Sequence, residues 1–125
     1  MKSTLKDKVI LIVEDIPTSY LLILHLLKQY ELKFIWAKNG QEAVDECEKN
    51  QQIDLVLMDV RMPIMNGLEA TKKITVIRPD LPIIIQTAYD MQDTKENAIA
   101  AGCIDYILKP INVKTFPYLI SKYLT

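Results

Sequence analysis

Five strand-like segments alternate with five helix-like segments along this 125-residue chain, and this alternation restricts the fold more than any other feature. The predicted strands lie near residues 8–13, 33–37, 54–58, 82–86 and 104–108. The predicted helices lie near residues 17–30, 40–50, 66–77, 91–101 and 113–123. Strands that alternate with helices favour βαβ units, and therefore a parallel sheet covered by helices on both faces. The length is typical of one domain, which we assign to residues 1–125.

The composition of the strands indicates their positions in the sheet. The first, third and fourth segments are continuous apolar runs, as expected for central strands covered on both faces. The second segment mixes polar and apolar residues and suits an edge. The formal net charge of −1 gives no bulk attraction to nucleic acid or membranes. Cys47 and Cys103 have no metal-ligand spacing, and no apolar run is long enough for membrane insertion, so we expect reduced thiols in a cytoplasmic protein.

Polar residues stand where four of the predicted strands end. Asp59 follows a continuous apolar run, although a charge at the end of a buried strand is costly unless something compensates it. Glu14 and Asp15 follow the first run, Thr87 follows the fourth, and Lys109 follows the fifth. In an open parallel sheet, ligands bind outside the carboxyl ends of the strands. We therefore expect these five residues to form one site.

The residue types at this site are suited to phosphoryl transfer. Three carboxylates at one place repel one another and need a cation, and hard oxygen ligands suit Mg²⁺. A carboxylate beside Mg²⁺ can attack phosphorus as a nucleophile. A lysine ammonium and the metal would neutralise the phosphoryl oxygens, and a threonine hydroxyl can donate to one of them. These properties predict that Asp59 accepts a phosphoryl group.

This ordered set of residues resembles the receiver domain of two-component response regulators. The resemblance is carried by Glu14-Asp15, by Asp59 with Met62-Pro63 and Asn66-Gly67 after it, by Thr87-Ala88, and by Lys109-Pro110. It covers essentially the whole chain. The leucine-rich first helix and the sequence from Glu14 to Leu22 look most like receivers of hybrid sensor histidine kinases. The resemblance implies a flavodoxin-like (βα)5 fold, a doubly wound parallel five-stranded sheet with strand order 2-1-3-4-5.

The resemblance also implies roles for the metal and the phosphoryl group. Asp59 would accept a phosphoryl group from a phosphohistidine on a histidine kinase or a histidine phosphotransfer protein. Asp15, Asp59 and the backbone carbonyl of Arg61 would bind Mg²⁺, and Glu14 would reach it directly or through water. Lys109 would pair with the phosphoryl group.

Further implied features concern the switch that follows phosphorylation. The Lys109-Pro110 peptide would be cis. Thr87 would move toward the phosphoryl group, and Tyr106 would turn inward behind it. The surface formed by the fourth helix, the fifth strand and the fifth helix would carry the response. Arg61 and Tyr89 would lie at the edge of the site and influence how fast water attacks the acyl phosphate.

The first predicted helix has more apolar residues than one core-facing stripe requires. That stripe is expected to contain Leu22, Ile23, Leu26 and Leu27. Tyr20, Leu21 and Leu24 would then face away from the sheet, and an exposed apolar patch suggests a contact surface. In receivers the histidine-bearing partner docks here, so we expect these three residues to contact it.

Two departures from the family pattern bear on these expectations. Glu14 occupies a place where aspartate is common, although its role is expected to be kept. Pro117 falls inside the expected fifth helix, where proline removes a backbone hydrogen bond and crowds the preceding turn. The helix must begin late, near Thr115, or bend. Either outcome would alter the surface formed by the fourth helix, the fifth strand and the fifth helix. The family's usual dimerisation through this surface is therefore not assumed, and the oligomeric state stays open.

Several alternatives remain open from the sequence. A Mg²⁺-dependent phosphohydrolase of the haloacid dehalogenase type would need a second aspartate where Arg61 stands. A flavin or dinucleotide module would need a glycine cluster, whereas Gly40, Gly67 and Gly102 are dispersed. A degenerate receiver could serve only for binding. The sequence also leaves open whether the domain stands alone, is a fragment of a larger regulator or belongs to a hybrid kinase.

Overall fold

A computed structural model describes residues 5–87 and 92–125 of the chain, with the backbone alone for residues 92–94. Its strands are β1 (Val9–Val13), β2 (Lys33–Ala37), β3 (Ile53–Asp59), β4 (Ile83–Thr87) and β5 (Asp105–Leu108). Its helices are α1 (Pro17–Leu27), α2 (Gly40–Lys49), α3 (Gly67–Ile77), α4 (Gln92–Ala101) and α5 (Phe116–Leu124), with a short 3₁₀ helix at Lys28–Tyr30. All strand pairs are parallel, in the order 2-1-3-4-5. The predicted fold class and strand order are confirmed.

Two hydrophobic cores separate the helices into two layers. One core joins alternate residues of the central strands to α2, α3 and α4, through side chains such as Ala43, Ala70 and Ala98. The other joins the remaining strand residues to α1 and α5, through side chains such as Ile23 and Phe116. All five residues of β1 are buried, which accounts for its continuous apolar sequence. Because strand side chains alternate between faces, each strand contributes to both cores.

Asparagine side chains fix the starts of two helices, and with them the loops around the site. Asn39 accepts a hydrogen bond from the backbone N–H of Glu42 at 2.9 Å, and Asn66 accepts one from Glu69 at 2.9 Å. Both are N-cap bonds, which satisfy donors that a helix start leaves unpaired. The predicted turns at these positions therefore act as helix starts.

The fifth helix begins late, as one of the two predicted outcomes for Pro117 required. It starts at Phe116, so Pro117 lies in the first turn, where no intrahelical N–H bond is lost. Residues 113–115, predicted to be helical, precede it. The buried carbonyl of Pro117 accepts a hydrogen bond from the Tyr30 hydroxyl at 3.2 Å, which ties α5 to the segment after α1.

The rotation of α1 differs from the prediction. Ile23 and Leu27 are buried as expected, but Leu22 is 42% exposed and does not belong to the core. Leu24 instead packs partly against the core formed with α5, and so does Tyr20. Leu21 is 59% exposed, as predicted. The exposed apolar surface of α1 is thus formed by Leu21 and Leu22.

Within the described part of the chain, no helix combines the length and apolarity needed to cross a membrane.

Candidate functional site

The structure brings together three carboxylates at the carboxyl end of the sheet. Glu14 and Asp15 follow β1, and Asp59 is the last residue of β3. One oxygen atom from each carboxylate lies within 4.8 Å of the other two. Glu14 is fully buried and Asp59 is 5% exposed, whereas Asp15 opens partly to solvent. The topology thus assembles the acidic group predicted from three separate positions.

Lys109 supplies a positive charge to this group. Its Nζ lies 2.9 Å from Glu14 Oε1 and 3.6 Å from Asp59 Oδ1. The second oxygen of Glu14 accepts a hydrogen bond from the backbone N–H of Ile16 at 3.3 Å. Glu14 is therefore held at both of its carboxylate oxygens. Lys109 brings one positive charge to three carboxylates, so these four side chains together carry a net negative charge when all of them are ionised.

The other predicted site residues lie at the end of β4, on β5 and in the loop after β3. Thr87 is buried at the end of β4, and its backbone carbonyl accepts a hydrogen bond from the Lys109 N–H at 2.7 Å. The Lys109–Pro110 peptide is cis. Tyr106 is partly buried and packs against the core formed with α2, α3 and α4. Arg61 is exposed in the loop after β3. The predicted positions Ala88 and Tyr89 lie outside the described residues.

Burial perturbs the ionisation of Asp59. Removal from water is the largest cause, and it raises the pKa of Asp59 to about 6. The Lys109 charge lowers the pKa, whereas the charge and hydrogen bond of Glu14 and the charge of Asp15 raise it. The charged form of Asp59 therefore destabilises the fold when no cation compensates it.

Replacement of Asp59 with asparagine should therefore stabilise the metal-free protein above its raised pKa. A carboxyl whose folded pKa exceeds its unfolded value costs stability as pH rises, fully so above the folded pKa. Because burial raises the pKa of Asp59 to about 6, the gain in the free energy of unfolding should be on the order of 1–3 kcal/mol. We expect this gain near pH 8 by chemical denaturation in EDTA, shrinking as pH falls below about 6. An Asp59→Asn variant no more stable than wild type near pH 8 would contradict this origin of the shift.

The cluster has the properties of a Mg²⁺ site. Its donors are hard carboxylate oxygens, it carries excess negative charge, and Asp15 gives it an opening through which water can complete the coordination. The raised pKa of Asp59 is itself a sign that a cation would be stabilising here. Asp15 and Asp59 can offer oxygens to the metal. Glu14, with both oxygens engaged, is better placed to reach it through water.

Sequence reasoning missed a structural support of the acidic group. The indole N–H of Trp36 on β2 donates a hydrogen bond to the backbone carbonyl of Glu14 at 2.7 Å. The Trp36 ring also stacks on Tyr20 of α1, with centroids 4.1 Å apart, and Lys38 Nζ lies 5.0 Å from the ring centroid. Trp36, the single tryptophan of the chain, thus links the edge strand and α1 to the backbone of Glu14.

The loop after Asp59 is held against the end of β3 by a glycine. The Gly67 N–H donates to the Val60 carbonyl at 2.9 Å. A Cβ at this position would overlap the Asp59 carbonyl oxygen and lie 3.0 Å from Met58 Cγ. Only glycine permits this approach. In the sequence, the Asn66-Gly67 pair predicted a turn at this point. In the structure, this turn holds the loop beside Asp59.

Comparison with known families and relatives agrees with this geometry. The family described as "Response regulator receiver domain" matches residues 10–120. The transcriptional regulatory protein ZraR of Klebsiella oxytoca is 33% identical over 115 residues, which are 92% of this chain and 26% of that protein. Hybrid signal transduction histidine kinase I of Dictyostelium discoideum is 40% identical over 120 residues, 90% of this chain and 7% of that protein. The chain therefore spans about a quarter or less of the length of these relatives.

A solved structure gives a similar result. The receiver domain of sensor histidine kinase PA1611 from Pseudomonas aeruginosa is 30% identical, with a TM-score of 0.86. The match covers 94% of this chain and 98% of that domain. That structure contains a magnesium ion coordinated in its active site cleft.

Proposed function

Because the chain belongs to the family of response regulator receiver domains, we propose that Asp59 accepts a phosphoryl group from a phosphohistidine in a Mg²⁺-dependent reaction. The donor would be a histidine kinase or a histidine phosphotransfer protein. The observation that carries this proposal is the Lys109 ammonium, 3.6 Å from a buried Asp59 that belongs to a three-carboxylate cluster. This arrangement offers a nucleophile, a metal site and a charge for the phosphoryl oxygens.

The transfer exchanges one bond to phosphorus for another. A carboxylate oxygen of Asp59 attacks phosphorus, the bond from phosphorus to the histidine nitrogen breaks, and the nitrogen keeps the electron pair. Lys109 sits beside the nucleophile, where its charge stabilises the developing negative charge. Asp15, Asp59 and the Arg61 backbone carbonyl would hold Mg²⁺, with Glu14 acting through water. When bound, Mg²⁺ would neutralise phosphoryl charge that Lys109 alone cannot compensate.

The response would follow from movement of Thr87 and Tyr106. The Thr87 hydroxyl would bind a phosphoryl oxygen, and Tyr106 would turn inward, so that the α4–β5–α5 surface changes. The hydrogen bond between the Lys109 N–H and the Thr87 carbonyl supports coupling between the charge at the site and the end of β4. The last element of this surface, α5, begins at Phe116 with Pro117 in its first turn.

Phosphorylation by a small donor tests the proposed function. With acetyl phosphate and Mg²⁺, the intact protein should gain the mass of one phosphoryl group, as measured by mass spectrometry. The gain should disappear when EDTA removes the metal, because the acidic cluster then repels the anionic donor. Undiminished phosphorylation in EDTA would contradict the metal requirement.

We also propose that the exposed surface of α1 contacts the histidine-bearing partner. The prediction named Tyr20, Leu21 and Leu24. Tyr20 stacks on Trp36 and Leu24 packs against the core, so these two would support the surface. Leu21 and the exposed Leu22 would form the contact itself. Leu22 also lines a small apolar pocket beside Lys109 and Pro110, next to the phosphorylation site.

Substitution of Leu21 and Leu22 with serine should slow transfer from the partner without affecting the site. We expect about a tenfold lower rate from a phosphorylated histidine phosphotransfer protein that serves the wild type, because a buried apolar contact is lost. The rate from acetyl phosphate should stay unchanged. Val76→Ser, at an 81% exposed position on α3, is the matched control. Equal transfer rates for the double variant and the wild type would refute docking at α1.

The phosphohydrolase alternative is not favoured, because the family match is to a receiver domain and Arg61 stands where the second aspartate would be required. We also propose that this domain belongs to a longer hybrid kinase or regulator and that it lies in the cytoplasm. Two observations accord with them: the relatives include hybrid kinases, and Cys47 and Cys103 are free thiols.

A further inference from the structure

Gln86 carries a buried amide group that has no hydrogen-bond partner among the described residues. The residue is 0% exposed on β4, and within the described residues neither its Nε2 nor its Oε1 has a hydrogen-bond partner. A buried polar group without a partner costs about 1–3 kcal/mol. Such a group needs a reason, since nearly all buried polar atoms are paired. An apolar side chain of similar size would fill the same space without this cost.

The sheet places Gln86 directly beside Asp59. In the β3–β4 pair, Asp59 and Gln86 are register partners, and on the other side Gln86 pairs with Ile107. Register partners on adjacent parallel strands point to the same face, and the strands lie about 5 Å apart. Gln86 thus lies one strand from Asp59, on the face that carries Ile84 and the core formed with α1 and α5. Glu14, which follows β1, flanks Asp59 on the opposite side.

Provided that Asp59 accepts the phosphoryl group as proposed, we infer that Gln86 is a positioning residue for its carboxylate. The amide Nε2 has two N–H donors, and a carboxylate is an acceptor for them. A turn of the Gln86 amide would let one of these N–H groups donate to a carboxylate oxygen of Asp59 and fix the plane of the carboxylate. The other oxygen is then aimed at the incoming phosphorus.

The charges at the site explain why an amide suits this position. Asp59 already faces the carboxylates of Glu14 and Asp15, so a further acid would add repulsion. A further cation would compete with the metal and with Lys109, which lies 3.6 Å from Asp59. A neutral donor can orient the carboxylate without changing the charge of the cluster.

Gln86→Met tests this role, because methionine keeps the length of the side chain and removes both polar atoms. Thr71→Val is the matched control. Thr71 is 0% exposed and its hydroxyl is likewise without a partner in the described structure, but it lies on α3, which packs with α2 and α4 on the opposite face. Three quantities are measured for each protein: the melting temperature in EDTA, the maximal rate of phosphorylation by acetyl phosphate with saturating Mg²⁺, and the donor concentration that gives half this rate.

For Gln86→Met we expect an unchanged or higher melting temperature and a maximal rate lower by about tenfold, since a misaligned nucleophile reacts more slowly. The half-saturating donor concentration should change by about twofold or less, because Gln86 does not bind the donor. Thr71→Val should keep the wild-type rate. An unchanged maximal rate for Gln86→Met would overturn the inference, and so would a large loss of melting temperature, which would show a purely structural role. If the wild type itself gains no phosphoryl group, the proposed function fails, and this inference with it.

Discussion

Replacement of Lys109 with methionine should slow phosphorylation of Asp59 by about 100-fold or more, because it removes the ammonium that lies 3.6 Å from an Asp59 carboxylate oxygen. Lys109 Nζ lies 2.9 Å from the buried Glu14 and 3.6 Å from Asp59. Loss of this ammonium leaves both carboxylates without their counter-charge. We expect the free energy of unfolding to fall by about 2–3 kcal/mol, below the cost of breaking a fully buried pair, because the Lys109 side chain is 20% exposed.

The rate is measured by intact mass with acetyl phosphate and saturating Mg²⁺, and the stability by chemical denaturation. Lys114→Met, at an exposed lysine just beyond the site, is the matched control and should change neither quantity appreciably. Addition of Mg²⁺ should restore part of the lost stability of Lys109→Met, since a second cation can compensate the same carboxylates. A phosphorylation rate within about twofold of wild type would exclude Lys109 from the reaction.

The second large effect is expected at Gly67. A Cβ there would overlap the Asp59 carbonyl oxygen, so Gly67→Ala must displace either the end of β3 or the start of α3. We expect a loss of about 3 kcal/mol in the free energy of unfolding. The melting temperature should fall by about 10 °C. Phosphorylation should also slow in the fraction that stays folded, because the strained contact is with the backbone of Asp59 itself.

Thermal and chemical unfolding measure this effect. Val76→Ala, at an exposed position on the same helix, is the control and should change the free energy of unfolding by about 0.5 kcal/mol or less. If Gly67→Ala unfolded at the wild-type temperature, the close packing of this loop against Asp59 would be wrong.

The sheet could be predicted because each strand is marked by its own local sequence. The acidic cluster could be predicted because the topology of a parallel sheet brings the carboxyl ends of its strands together. Continuous apolar runs marked β1, β3 and β4 as central strands, and the mixed sequence of β2 marked an edge. The carboxyl ends of parallel strands meet at one edge, so residues far apart in sequence had to converge. Pro117 allowed two outcomes, and the late start of α5 is the one that spares a hydrogen bond.

There is a physical reason why the rotation of α1 about its axis could not be predicted. His25 is the only polar residue between Tyr20 and Leu27, so the helix has no polar face to mark the side away from the core. The sheet and α5 decide the rotation instead. The stack of Tyr20 on Trp36 joins α1 to the edge strand β2, which is a tertiary contact without a local signal.

The sequence showed the polarity of Gln86 but not its surroundings in the folded protein. Its polarity at the end of the apolar run in β4 was visible in the sequence, next to the predicted site residue Thr87. Its burial and the register partner Asp59 became apparent only with the sheet assembled. The lack of a hydrogen-bond partner among the described residues is a tertiary property, because it depends on the groups that the neighbouring elements bring to the amide.

The most direct test of phosphoryl acceptance is the intact mass of wild type and Asp59→Asn after identical incubation with acetyl phosphate and Mg²⁺. Asparagine keeps the shape of the side chain but lacks the nucleophilic carboxylate oxygen. We predict that the wild type gains the mass of a single phosphoryl group and that Asp59→Asn gains none. A wild type without the added mass, or an Asp59→Asn variant that acquires it as fast as wild type, would contradict the assignment of Asp59 as the phosphoacceptor.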